Sequence, residues 1–232
     1  MNNKELEKIW ISKTLKGDIE KEVRNVSRSK AIPLQYVPKE KLNDIAKSKD
    51  HEGIVAQLSV INYLNIDEVI PFVFEQGSSP AFIVLDGVVD VRNVGAIIRS
   101  AVWFDFHSII LGMKKSARLN SVAYRTSAGA INDIAICREP SITKAIEYLK
   151  NSGVQIVIAD AASEKTMEIV DLSGPVALVL GSEEKGPSKE VLALADYQVA
   201  VPGSQKVESL NVSVAAAVLM YDLYKIRNTN ND

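Results

Sequence analysis

Three polar segments of this 232-residue chain carry side chains suited to chemistry, and each follows a short apolar run. The first, Leu85-Asp86-Gly87-Val88-Val89-Asp90-Val91-Arg92-Asn93, leads into Val94-Gly95-Ala96-Ile97-Ile98-Arg99-Ser100-Ala101. Asn93 is a good N-cap for a helix from Val94, and Arg99 lies six residues on, among Ile97, Ile98, Ala101 and Val102. An Arg on such a helix needs a partner. It either pairs structurally with Asp86 or Asp90, or holds an anion, since a guanidinium stays charged and offers a fork that suits phosphate.

The second segment is Val179-Leu180-Gly181-Ser182-Glu183-Glu184-Lys185-Gly186-Pro187-Ser188. Its two glycines have the spacing of a phosphate-binding loop, but Pro187 stands where that loop needs Lys, and Glu183 and Glu184 repel a triphosphate. A tight glycine turn bearing carboxylates suits a neutral or cationic ligand instead, or is an ordinary strand-to-helix turn with Pro187 at the first helical position. The third, Val201-Pro202-Gly203-Ser204-Gln205-Lys206-Val207-Glu208-Ser209-Leu210-Asn211, enters a helix that is apolar on every side from Val214 to Tyr221. Ser209 and Asn211 are capping types, and the helix calls for burial on several faces, a second subunit included.

The elements that position these loops alternate. Strands are expected near 82–85, 108–111, 154–159, 176–180 and 197–201, and helices near 94–104, 141–150 and 188–195, a pattern that implies a mostly parallel sheet covered on both faces. Ligands of such sheets sit beyond the carboxyl ends of the strands, where all three polar loops lie. Ahead of residue 60, the apolar runs Ile9-Trp10-Ile11, Leu34-Gln35-Tyr36-Val37 and Ile54-Val55-Ala56-Gln57-Leu58 alternate with charged helical stretches near 18–29 and 38–48, which reads as a small α/β domain. A short apolar helix near 67–74 and the turn formers Glu75-Gln76-Gly77-Ser78-Ser79-Pro80 put a linker at 61–80 and the larger domain at 81–232.

Composition narrows the function classes. Apolar residues make up 47% of the chain, enough for a sizeable core, and the formal net charge of −2 excludes a polycation that coats nucleic acid or membrane. The charge is segregated: residues 1–60 hold 12 basic and 9 acidic side chains, a net of +3, so any RNA contact is local. No apolar run has the length of a membrane span and the first residues lack a secretory core, so a cytoplasmic protein is expected. Cys137, His51 and His107 form no metal-ligand spacing, and a single cysteine disfavours two-cysteine methyl transfer.

Taken together, Asn93-x-Gly95-Ala96-x-x-Arg99-Ser100-Ala101, Gly181-x-Glu183-x-x-Gly186 and Ser209-Leu210-Asn211-Val212-Ser213-x-Ala215 resemble the three ordered motifs of the SpoU/TrmH RNA 2′-O-ribose methyltransferases, and Thr126-Ser127-Ala128-Gly129-Ala130 between them fits as well. Residues 1–60, with His51-Glu52-Gly53-Ile54-Val55-Ala56, are similar to the substrate-recruiting domain of the family's ribosomal RNA guanosine branch. Two departures stand out. Val91 replaces the proline usual after the motif aspartate, and the helical segment that opens the recruiting domain is missing, which implies either a trimmed chain or an altered RNA-binding end.

The resemblance implies an α/β sheet with a C-terminal trefoil knot, an exception to the rule that chains are unknotted. It implies S-adenosylmethionine in the knotted loops, with Gly181, Val201 and Leu210 giving backbone contacts and an apolar slot for adenine, and no metal. It implies attack by a ribose 2′-hydroxyl on the sulfonium methyl, with Asn93, Arg99, Glu183, Ser209 and Asn211 as the polar set: Arg99 as phosphate clamp and alkoxide stabiliser, Ser209 and Asn211 orienting the ribose, Glu183 bracing its loop. A homodimer completes the sites, and ribosomal RNA is the expected substrate ahead of transfer RNA. A catalytically silent RNA-binding protein would dispense with Asn93, Arg99, Glu183 or Asn211, and all four are present. A dinucleotide-binding enzyme needs a Gly-x-Gly-x-x-Gly turn after the first strand, which is absent.

Overall fold

A computed structural model describes residues 6–30, 32–59, 61–77, 79–169, 172, 174–204 and 206–229. The chain divides into two compact units, Met1–Asn62 and Tyr63–Asp232. In the first, β1 (Leu6–Ser12) runs parallel to β2 (Leu34–Val37) and antiparallel to β3 (Ile54–Leu58), in the order β2-β1-β3. Alternation along β1 buries Ile9 and Ile11, which pack with Ile32, Leu15, Val23, Leu34 and Ile54. Two helices complete the unit, α1 (Asp18–Ser29) and α2 (Lys39–Ala46), the latter opened by Pro38 and anchored by fully buried Leu42.

The second unit is built on six parallel strands in the order β6-β5-β4-β8-β7-β9. In chain order they are β4 (Ala81–Asp86), β5 (Ser108–Gly112), β6 (Ala135–Glu139), β7 (Gln155–Ala159), β8 (Val176–Gly181) and β9 (Tyr197–Val199). β5 and β8 are buried at every residue, and β4 at all but its last, as expected for strands covered on both faces. The helices are α3 (Ile66–Glu75), α4 (Val91–Trp103), α5 (Ser121–Thr126), α6 (Ile142–Asn151), α7 (Lys189–Leu192) and α8 (Val212–Thr229). After edge strand β9 the chain returns to the middle of the sheet, where α8 packs on α4 and β8.

Three elements differ from the sequence expectation. Residues 61–80 are not a linker throughout, because Ile66, Val69, Ile70 and Val73 of α3 recur at helical spacing and join the core around Phe82, Val84 and Ile110. Strand β6 was not anticipated: it is an edge strand ending in Arg138-Glu139, and the run is short and only partly buried. The final helix, apolar all round in sequence, buries Val212, Ala216, Leu219, Met220 and Leu223 but leaves Val214, Tyr221 and Tyr224 exposed. Among the described residues no helix is long and apolar enough to cross a membrane.

Candidate active site

From β4 the chain winds outward through β5 to β6, and from β7 it winds back to β8, so β4 and β8 lie side by side with their connections leaving in opposite directions. Their carboxyl ends form the crevice in which sheets of this type bind ligands. Asp86 ends β4 and pairs in register with Gly181 at the end of β8. Its Oδ2 accepts the Ser188 amide at 2.7 Å, tying the loop after β8 to the strand before α4. That loop folds on itself, Ser182 and Gly186 exchanging backbone hydrogen bonds of 3.1 and 2.9 Å.

The helix carrying Asn93 starts earlier than its sequence indicates. Asp90, not Asn93, is the N-cap of α4, its carboxylate accepting the Arg92 amide at 2.8 Å. Val91 therefore takes the first helical position, where proline is favoured but a β-branched residue is accepted. Asn93 falls in the first turn, and its side chain is released for a different task. Its Nδ2 donates to Glu183 Oε1 at 2.8 Å, and its Oδ1 accepts from Asn211 Nδ2 at 3.2 Å. Asn211 Oδ1 in turn accepts from the Ser213 amide at 2.9 Å and the Ser213 hydroxyl at 2.6 Å. The polarity of this chain is fixed at both ends: a carboxylate only accepts and a backbone amide only donates, so each Asn has one permitted orientation. Asn211 thus caps α8 and joins the cluster, and the three polar loops meet in it.

The remaining expected site residues fall elsewhere. Arg99 is exposed on α4 and forms no ion pair or hydrogen bond among the described residues. The structural pairing with Asp86 or Asp90 is not among the ion pairs of the described residues; each of those carboxylates instead accepts a backbone amide. Nor does Arg99 lie within the apolar face of α4, which is formed by Val94, Ile97, Ile98 and Ala101. Ser209 is exposed and does not bond to the Asn93 cluster. Gly181 is required for a reason other than ligand approach. A Cβ there meets Pro187 N at 2.0 Å and the Gly186 carbonyl carbon at 2.1 Å, so the chain's own return closes over it. Val201 is half-buried and Leu210 is 45% exposed, an apolar pair among polar loop residues. Their backbone amides form no hydrogen bond to described residues.

Sequence reasoning missed Asp86 and Asp90 as the residues that set the two loops. The signal available was a carboxylate at a strand end and another just ahead of a helix. Cys137 is fully buried, and burial pushes its thiol up to about 12, so it supplies no thiolate. No group of His, Cys, Asp and Glu among the described residues is arranged to hold a metal ion.

Residues 80–221 match the SpoU rRNA Methylase family, and residues 1–64 match the RNA 2′-O ribose methyltransferase substrate-binding domain. The chain is similar to the putative TrmH family tRNA/rRNA methyltransferase YacO of Bacillus subtilis, 33% identical over 228 residues, which cover 98% of this chain and 91% of the relative. An uncharacterized tRNA/rRNA methyltransferase of Mycobacterium marinum is 35% identical over 213 residues, 90% of this chain and 68% of the relative. Among solved structures, the SpoU methyltransferase AviRb of Streptomyces viridochromogenes, in complex with AdoMet, superposes with a TM-score of 0.66 at 20% identity, covering 98% of this chain and 85% of that one. The A. aeolicus TrmH/SpoU tRNA modifying enzyme gives a TM-score of 0.60 at 24% identity over 72% of this chain and 86% of that one.

Proposed function

The chain belongs to the SpoU rRNA methylase family, and we propose that it transfers a methyl group from S-adenosylmethionine to a ribose 2′-hydroxyl of RNA, with a guanosine of 23S ribosomal RNA as the acceptor. The observation that carries this reading is the cluster Glu183–Asn93–Asn211, which joins all three motif loops at the β4/β8 crevice.

The residues fit the cofactor. Exposed Leu210 and half-buried Val201 offer apolar contact to adenine, with their backbone amides available to its edge, and the carboxylates of Glu183 and Glu184 suit a sulfonium better than a phosphate. Bound there, S-adenosylmethionine supplies the electrophilic methyl. Asn93 fixes Glu183 and Asn211, so the loops that frame the methyl hold still while the ribose is aligned. Ser209 and Asn211 orient the ribose. Arg99 holds the adjoining phosphate and stabilises the developing alkoxide; a guanidinium does not deprotonate in proteins and so is no base. The hydroxyl proton leaves through the polar loop surface to water.

Arg99 is separate from the Asn93 cluster of its own chain, which supports a site completed by a second copy. The exposed Val214, Tyr221 and Tyr224 of α8, with Trp103 of α4 81% exposed, supply an apolar surface for that homodimer. Phe104 meets Tyr221 and Tyr224 in tilted ring contacts with centroids 6.0 and 5.9 Å apart. The return of α8 to the centre of the sheet supports the knotted path.

Incubating the protein and S-adenosylmethionine with ribosomal and transfer RNA, then mapping alkali-resistant linkages, tests the proposal. One new 2′-O-methyl guanosine in 23S RNA is expected. Methylation of transfer RNA alone corrects the acceptor, and base methylation without ribose methylation overturns the reaction.

A further inference from the structure

The N-terminal unit has a cleft of about 490 Å³ at the carboxyl end of its parallel strand pair, within the roughly 300–1,000 Å³ of small-ligand sites. Its wall carries both signs of charge. Lys39 opens α2, Lys49 lies on the loop to β3, and Asp50 and Glu52 stand on that same loop. None of the four is in an ion pair among the described residues, although two cations and two anions line one small space. Leu15, half-buried, gives the cleft an apolar platform.

The loop is held in shape at a conformational cost. Lys47 and Glu52 take positive φ of 52° and 49°, a region non-glycine residues seldom occupy, and Gly53 follows at 89°. His51 braces them: its Nδ1 accepts the Gly53 amide at 3.0 Å, which leaves Nε2 to donate to Asn43 Oδ1 at 2.8 Å. The Ser12 amide donates to the Gly53 carbonyl at 2.8 Å, fixing the loop to β1. The result is that the backbone carrying Glu52 is fixed beside the cleft, with the Glu52 side chain exposed.

All four charged side chains are exposed, and the carboxylates weaken the lining for a bare anion as the lysines weaken it for a cation. A ligand that brings a phosphate, a flat apolar face and adjacent N–H donors satisfies all of them. Among nucleobases only guanine presents two adjacent donors, N1–H and N2–H, on its Watson–Crick edge, which a carboxylate accepts in bidentate fashion. Single-stranded RNA displays that edge, and RNA-binding proteins read it there. We propose that this cleft docks an unpaired guanosine of the RNA, its phosphate against Lys39 and Lys49, its base on Leu15 and its Watson–Crick edge against Glu52 or Asp50. The inference rests on the reading of the chain as an RNA methyltransferase and names the feature its N-terminal unit selects.

The test uses the full isotope-labelled chain, titrated with guanosine, adenosine, cytidine and uridine 5′-monophosphates and with a short RNA hairpin bearing one loop guanosine. The expected result for guanosine monophosphate is amide shifts centred on residues 12–15, 38–40 and 49–53, with this nucleotide preferred roughly tenfold. Replacing the loop guanosine by adenosine should weaken hairpin binding by a similar factor. The double variant Asp50→Asn/Glu52→Gln should erase the base preference, and Lys39→Gln/Lys49→Gln should weaken all four nucleotides alike. Equal response of these residues to the four nucleotides, no response there to guanosine monophosphate, or a hairpin indifferent to its loop base overturns the proposal. Calorimetry with S-adenosylmethionine on the same samples separates the outcomes: cofactor binding with no nucleotide response sinks this inference alone, whereas absence of cofactor binding sinks the methyltransferase reading.

Discussion

Asn93 hydrogen-bonds to both other motif loops, and its two hydrogen bonds cannot be exchanged without reversing the donor that faces Glu183. Asn93→Asp sets two carboxylates against each other, so methyl transfer is expected to fall roughly 100-fold. The melting temperature should shift little, since a partly exposed hydrogen bond contributes only about 1 kcal/mol. Arg99 gives a cleaner separation. Exposed and without an ion pair among the described residues, it owes the fold nothing that a melting curve would register. Arg99→Ala and Arg99→Lys should both melt as the parent does and bind S-adenosylmethionine as tightly, yet lose turnover in single-turnover methylation, because Lys keeps the charge without the planar fork. Gly181 behaves in the opposite way: even Gly181→Ala forces a Cβ to 2.0 Å from Pro187 N, so chemical denaturation should show a loss of at least about 3 kcal/mol. A bulky residue at Gly181 therefore tests the fold and not cofactor placement.

Between elements, α4 packs tightly on α5 at Gly95. A Cβ on Gly95 stands 2.8 Å from Thr126 Cβ and 3.0 Å from the Ala123 carbonyl oxygen, so Gly95→Ala should cost about 1–3 kcal/mol and shift α4, and with it Asn93. At the other end of the sheet, His107 Nδ1 accepts the Ala81 amide at 3.2 Å. Burial holds its imidazole below the ordinary 6.5, against the opposing pull of Asp105. The unfolded chain then binds more protons than the folded one as pH drops below 6.5. Stability from this residue is complete above that value and falls on acidification, and His107→Asn should flatten the profile in melting curves taken from pH 7.5 to 5. These contacts also mark where the sequence was legible. Strands buried on both faces, such as Val176–Gly181, announce themselves as apolar runs, and the order of motif loops follows from the chain. The partner of Asn93 does not: Glu183 is distant in sequence, and only the β4–β8 pairing brings the two together. The cap was misassigned because Asp90 and Asn93 are both good capping types and local propensity does not rank them. Arg99 was expected within an apolar face, but its position on the helix turns it outward from Ile97 and Ile98.

For the molecule as a whole, charge and chemistry divide between the two units. The N-terminal unit carries the basic excess and the C-terminal unit the motif loops, so the first should set RNA affinity and the second the reaction. The exposed aromatic surface of α4 and α8 predicts a homodimer in light scattering, and Trp103→Glu/Tyr221→Glu should yield a folded monomer that no longer methylates. A mixture of two inactive variants, Asn93→Asp and Arg99→Ala, should then recover activity in mixed dimers that hold one intact shared site. The most direct test of the central claim is single-turnover transfer from labelled S-adenosylmethionine to ribosomal RNA, comparing the parent with folded Asn93→Asp and Arg99→Ala proteins. The account predicts one ribose 2′-O-methyl per RNA for the parent, and for both variants a loss of roughly 100-fold with cofactor affinity unchanged. Undiminished ribose methylation by either variant would contradict it.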